Sequence, residues 1–254
     1  MEIDNKTLMM RLNRQKKRID HLEKKISDIH KAIIQIHLKK EPFEKSYLSP
    51  VELDIKGAEI TLLSFAGMRQ VIGVPRAEFF KTLSGSDRYN IIFLKDFNQA
   101  WYQCGLFGIS DNVDDTVGYL KSIIPPSTKR LITLGSSSGG FAAILYGSLL
   151  GAEKTISFAP QTFLNEEVFK RFKNVDSKKE CIVNAPYKDL NLLRGDGGTI
   201  HHVYVGKNNK YDQIHIDNIK DNKRFIIHWL DTSSHNVAKF MKENGTLDHL
   251  LLSI

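Results

Sequence analysis

Arg130-Leu131-Ile132-Thr133-Leu134-Gly135-Ser136-Ser137-Ser138-Gly139-Gly140-Phe141-Ala142-Ala143-Ile144-Leu145-Tyr146 is the stretch around which the rest of the chain is organised. Residues 130–134 form a short, apolar, β-branched run, the pattern of a buried parallel strand. Residues 141–146 read as a helix with its apolar face inward. Between the two lies G-x-S-x-G with Ser137 at its centre. A strand-to-helix turn this tight strains its apex residue and tolerates only glycine two residues to either side. The same geometry lifts the serine hydroxyl out of the sheet. It aims the Ser138 N–H, assisted by the N-terminus of the helix, at whatever the hydroxyl attacks.

A bare G-x-S-x-G is weak on its own, and two plainer accounts compete with it. One is a Gly/Ser turn between strand and helix. The other is a phosphate-cradling loop, which is disfavoured because the chain has no G-x-x-x-x-G-K-[ST] and no well-placed G-x-G-x-x-G. With a strand before it and a helix after it, the stretch resembles the nucleophile elbow of the α/β-hydrolase superfamily. The resemblance covers residues 50–250. It implies a mostly parallel sheet with helices on both faces and, for this chain, a minimal lid.

The 254 residues suffice for one full core and an appendage, and a hydrophobic share of 41% is ordinary for a globular protein. The net charge of +7 favours acidic partners in general. Much of the excess sits in the first forty residues, at Arg11, Arg14, Lys16, Lys17, Arg18, Lys24 and Lys25 among others, so no nucleic-acid partner is expected. Cys104 and Cys181 make neither a disulfide framework nor a metal cluster, and no metal site is expected. No apolar run approaches membrane-spanning length, and the start does not read as a signal peptide. The expectation is a cytoplasmic protein without membrane insertion.

Residues 1–41 differ in kind from the remainder, 42–254. Leu12, Ile19, Ile26 and Ile33 fall at heptad position a, and Gln15, Leu22, Ile29 and Ile36 at d, with no Pro or Gly before Pro42. So narrow a seam on a charged helix suits another copy of itself better than a globular core. An N-terminal coiled coil that self-associates through residues 8–36 is expected, its strand number open; a helix lying back on its own domain is the competing account.

Beyond it, Val51–Ile55 alternates like an edge strand, and Ile60–Phe65 is an apolar core strand that exits into Ala66-Gly67-Met68. In the hydrolases this chain resembles, the loop at this place supplies the second oxyanion donor; Gly67 permits close backbone approach, so the resemblance makes the N–H of Gly67 or Met68 the candidate beside Ser138. Glu78–Leu83 reads as a crossover helix and Tyr89–Leu94 as the next strand. Its exit, rich in amides and aromatics, belongs at the carboxyl edge of the sheet, where ligands bind in open α/β folds. Trp101 and Tyr102 stacking on a sugar, with Asn98 and Gln99 bonding hydroxyls, is one reading of it. Trp101 in the core, with the amides capping a turn, is the other. Residues 162–195 are too polar for a large lid domain.

Hydrolases of this fold present their triad in the order Ser, acid, His, the acid after the penultimate strand and the histidine after the last. On this sequence the positions are Ser137, Asp212 and His235, with Asp217 and Asp231 as alternative acids. The chemistry requires each: a base must take the hydroxyl proton, and a carboxylate must fix the tautomer of that base. His201 and His202 share a strand, one as a core group and the other exposed; His228 lies inside the last strand and reads as structural, and His215 belongs to the following helix.

Ser64-Phe65-Ala66-Gly67, Asn98 to Tyr102, Gly135 to Gly140 and Ser233-Ser234-His235-Asn236 more narrowly resemble hydrolase-fold proteins encoded with bacterial capsule and surface-glycan genes. That resemblance implies an esterase or an O-acetyltransferase acting on a carbohydrate or small acyl ester. It implies no bound cofactor, with acetyl-CoA as acyl donor if the protein is a transferase. The competing function is an idle hydrolase-fold module that works through its coiled coil; three ordered triad positions argue against it.

Overall fold

The computed structural model describes residues 9, 15, 16, 19, 49–68, 70–71, 74–75, 79–83, 85–171, 180–193 and 198–254. The heptad seam therefore lies outside the described residues, apart from Gln15 and Ile19, which are helical and exposed.

Strands β1 (Val51–Asp54), β2 (Ile60–Phe65), β5 (Tyr89–Leu94), β6 (Arg130–Ser136), β7 (Lys154–Phe158), β8 (Ile200–Gly206) and β9 (Phe225–Leu230) form one seven-stranded sheet in the order β1-β5-β2-β6-β7-β8-β9. Only β1 runs antiparallel, on the edge against β5. The inner strands β2, β5 and β6 are apolar almost throughout because helices cover both of their faces. A two-stranded hairpin, β3 (Gln70–Val71) with β4 (Val74–Pro75), was not expected from sequence.

On one face lie α2 (Val113–Ile123), α3 (Ser138–Leu150) and α6 (Lys210–Ile219), packed with Leu63, Phe65 and Val203 of the sheet. On the other lie α1 (Phe80–Leu83), α7 (Val237–Glu243) and α8 (Thr246–Leu252), packed on Leu62, Phe93, Leu134 and Phe158. Helix α3 is buried on every side over its first eleven residues, from Ser138 to Ser148. That is why its sequence carries no polar face. Short pieces, α4 (Glu166–Arg171) and α5 (Glu180–Val183), occupy the region read as a minimal lid.

The winding places the site. From β2 the chain adds β5 on one side, then returns past β2 to lay β6 on the other side and continues outward to β9. The carboxyl ends of β2 and β6 therefore flank the switch point, where open α/β sheets leave a crevice. Their register sets Phe65 opposite Gly135, one residue from each exit loop.

Cys104 and Cys181 are joined in a disulfide across 77 residues of sequence, a pairing the sequence reading did not propose. Ala100 and Ile182 pack around the bond, tying the loop after β5 to α5. Sequence spacing carried no hint of it, since the contact exists only once both segments reach the carboxyl edge of the sheet. Among the described residues no helix is long and apolar enough to cross a membrane.

Candidate active site

Ser137 caps α3 with φ 55° and ψ −119°, a left-handed conformation that a residue with a Cβ rarely adopts. Its backbone is pinned from both sides: the N–H donates to Phe158 O at 2.8 Å, and the carbonyl accepts the Phe141 N–H at 3.0 Å. The two flanking glycines have a steric reason. A Cβ on Gly135 would stand 2.1 Å from Gly139 O, and one on Gly139 would stand 2.2 Å from Phe65 O. The start of α3 thus presses against the exit of β2, where the same Gly139 Cβ would also stand 2.8 Å from the Ala66 carbonyl carbon.

His235 follows β9, and Asp212 lies in the first turn of α6, where Asn209 caps the helix through the N–H groups of Tyr211 and Asp212. Tertiary folding sets the three side chains in a row. Ser137 Oγ is 3.0 Å from His235 Nε2, and His235 Nδ1 is 2.6 Å from Asp212 Oδ1. The Asp212 carboxylate is buried, whereas His235 is partly open to solvent. Nδ1 carries a proton toward the carboxylate, so Nε2 is left as the acceptor for the serine hydroxyl. Asp231 is exposed, and the carboxylate against His235 is that of Asp212.

His201 and His215 are structural. His201 is buried against Thr155 Oγ1 and the Phe225 ring, and burial pulls its pKa down to about 3. His215 is also buried, inside α6. Its Nδ1 accepts the Thr162 N–H at 3.2 Å, and burial, aided by the charges of His235 and Arg171, lowers its pKa to about 4. Both remain neutral at physiological pH. Burial pushes the Tyr211 phenol up to about 12, so it stays protonated beside His235, beneath the Arg171 guanidinium, which lies 4.0 Å from its ring centroid.

The loop after β5 departs from one of its two readings. Trp101 and Tyr102 are fully buried and offer no ring to a sugar. The Tyr102 hydroxyl bonds the Ala66 and Leu94 carbonyls, and the ring sits edge-on to Phe65. The amides serve the backbone: Asn98 Nδ2 donates to Cys104 O at 3.1 Å and Gln99 Nε2 to Met68 O at 3.3 Å. The stacking assignment is therefore corrected. An aromatic pair in a carboxyl-edge loop looks the same in sequence whether it faces solvent or core, and here the hydrophobic gain of burying both rings decides.

Sequence reasoning passed over Gln161, three residues beyond β7. It is fully buried, and its amide reaches both Ser137 Oγ, at 3.2 Å from Nε2, and the Trp101 indole, at 3.0 Å from Oε1. Its position at the exit of the strand adjoining the nucleophile strand was the available signal.

No protein-family model matches the sequence, and no curated protein matches it. Solved structures do. The capsule O-acetyltransferase of Neisseria meningitidis serogroup A aligns with a TM-score of 0.57 at 19% identity, over 78% of this chain and 90% of that one. A histidine variant of the same enzyme, in complex with CoA, aligns with a TM-score of 0.58 at 20% identity over the same shares. The Pyrococcus furiosus esterase Pf2001 aligns with a TM-score of 0.51 at 16% identity, over 80% of this chain and 86% of that one. At such identities the likeness establishes the fold: this chain is an α/β-hydrolase-fold protein.

Proposed function

We propose that the protein performs serine-dependent acyl-ester chemistry, as an esterase or an O-acetyltransferase, through an acyl-enzyme on Ser137. The observation that carries the reading is the continuous row from Ser137 Oγ through His235 to Asp212 at the apex of a strained elbow. His235 Nε2 takes the hydroxyl proton as Oγ attacks the acyl carbonyl. Buried Asp212 holds the imidazole in the required tautomer and stabilises the imidazolium that forms. The Ser138 N–H, with the N–H of Gly67 or Met68, receives the oxyanion. Collapse expels the alcohol or thiol, which takes the proton back from His235. A second acceptor, water or a sugar hydroxyl, then repeats the sequence in reverse order.

The choice of a surface-glycan acceptor, and of acetyl-CoA as donor, rests on two supports: the sequence resemblance and the structural likeness to a capsule O-acetyltransferase, one form of which was solved with CoA. Self-association through residues 8–36 rests on the heptad alone, and light scattering of the full chain against a chain lacking residues 1–40 tests it. A cytoplasmic location sits uneasily with the Cys104–Cys181 bond, since such bonds persist mainly in oxidising compartments.

The test of the activity is labelling by a fluorophosphonate and turnover of a small acetyl ester. Ser137→Ala should abolish both, a loss of several powers of ten, and His235→Ala should cost nearly as much because the two side chains act as one unit. Asp212→Asn should cost less than either. Labelling that survives Ser137→Ala but disappears with Ser136→Ala or Ser138→Ala would move the nucleophile.

A further inference from the structure

We propose that Gln161 is a further catalytic residue, donating its amide N–H to Ser137 Oγ, and that Trp101 is the positioning residue that fixes this amide. The inference rests on Ser137 being the nucleophile.

The orientation of the amide follows from hydrogen-bond chemistry. An indole N–H is a donor and never an acceptor, so Trp101 Nε1, buried and 3.0 Å away, requires the carbonyl oxygen of Gln161 on its side. A flipped amide would set N–H against N–H in a site with no solvent to relieve it. The remaining end, Nε2, stands 3.2 Å from Ser137 Oγ.

The serine hydroxyl has one proton and two acceptors within reach: His235 Nε2 at 3.0 Å and Gln161 Oε1 at 3.4 Å. The shorter contact goes to the base, and the indole already occupies a lone pair of Oε1. Oγ therefore gives its proton to His235 and accepts the Gln161 N–H.

As His235 takes that proton, charge grows on Oγ. A hydrogen bond to a charged oxygen is about twice as strong as one between neutral groups, so the Gln161 N–H stabilises Oγ most at the moment of attack. The same donor acts again in deacylation. There the C–Oγ bond breaks, Oγ departs with the bonding pair, and His235 returns the proton.

The fold sustains this arrangement at the cost of local strain. Gln99, Trp101 and Tyr102 all have positive φ, at 53°, 51° and 59°. The buried Asp96 carboxylate holds them there, accepting the N–H groups of Ala100 at 2.7 Å and Tyr102 at 3.0 Å. Three non-glycine residues in a disfavoured region within four positions need a reason, and delivering the indole to the Gln161 amide supplies one. On the opposite side, the Ser137 N–H bond to Phe158 O fixes the elbow against the strand that leads into Gln161.

The experiment uses the full chain and measures the second-order rate of fluorophosphonate labelling, together with kcat and KM on a small acetyl ester. Gln161→Met retains the volume and removes the N–H. Gln161→Glu retains an acceptor for Trp101 and sets an oxygen where the donor stood. Each should lower the labelling rate and kcat by about 10- to 100-fold, with KM little changed. Trp101→Phe should lower both in the wild-type background and have no further effect in the Gln161→Met background, because the indole acts only through the amide. Circular dichroism and urea unfolding establish that each variant is folded; of the Gln161 variants, whichever folds carries the test. Wild-type rates in a folded Gln161 variant would overturn the inference, as would an equal loss from Trp101→Phe in both backgrounds. Either result leaves the nucleophile reading standing if wild type is labelled and Ser137→Ala is not. A wild-type protein that resists labelling removes the nucleophile and the inference together.

Discussion

Replacing Ser137 by glycine should give a protein that is inactive yet more stable than the corresponding alanine variant. At φ 55° and ψ −119° any residue with a Cβ is strained, by about 1–3 kcal/mol. Alanine retains the Cβ and hence the strain, whereas glycine occupies this region freely. Both variants lose the hydroxyl, so the contacts to His235 and Gln161 drop out of the comparison. Against the gain stands the looser unfolded chain of the glycine variant, worth about 0.5–1 kcal/mol. The difference should favour glycine by about 0.5–2 kcal/mol, a few degrees in Tm for a chain of this size. Urea unfolding of the two variants, both confirmed silent toward a fluorophosphonate, measures it directly. If alanine proves the more stable by the ordinary glycine penalty, the elbow holds no strain and the account of why it presents its hydroxyl fails.

Four further outcomes follow from the packing. Gly139→Ala drives a Cβ to 2.2 Å from the Phe65 carbonyl, and should cost about 3 kcal/mol or more, or prevent folding. Gly118→Ala on α2 meets nothing within 4 Å, and should stabilise by about 0.5–1 kcal/mol in the same unfolding assay. Because His201 and His215 have folded-state pKa values near 3 and 4 against 6.5 for the free side chain, the unfolded chain binds protons first as pH falls. Their contribution is complete above pH 6.5 and is lost toward pH 4, approaching about 1.4 kcal/mol per pH unit for each, which urea midpoints across that range would reveal. Burial raises the Asp96 pKa and opposes this trend, since protonation relieves the penalty of its buried charge. Cleaving the Cys104–Cys181 bond by reductant, or replacing both cysteines by serine, should lower stability by about 2–4 kcal/mol.

The sequence by itself carried the fold class and the candidate triad, because both are written in local chemistry. The β-branched run 130–134, the glycines at 135 and 139 and the all-apolar helix that follows declare a buried strand, a tight turn and a buried helix without reference to any distant residue. The order of elements then assigned Asp212 and His235 to the exits of the last two strands, since each loop has one carboxyl edge to reach. Only the tertiary structure could decide between Asp212 and Asp231. Both stand within reach of His235 in chain order, and burial on α6 separates them.

The same holds for the loop after β5. An Asn-Gln-Ala-Trp-Tyr segment has the composition of a sugar platform and of a buried clamp alike, and the balance is struck by partners far along the chain. Asp96 holds the loop, Cys181 ties it to α5, and Gln161 receives the Trp101 indole N–H. None of these pairings has a local signature, because a buried polar group finds its partner by satisfying a hydrogen bond in three dimensions rather than by spacing in one.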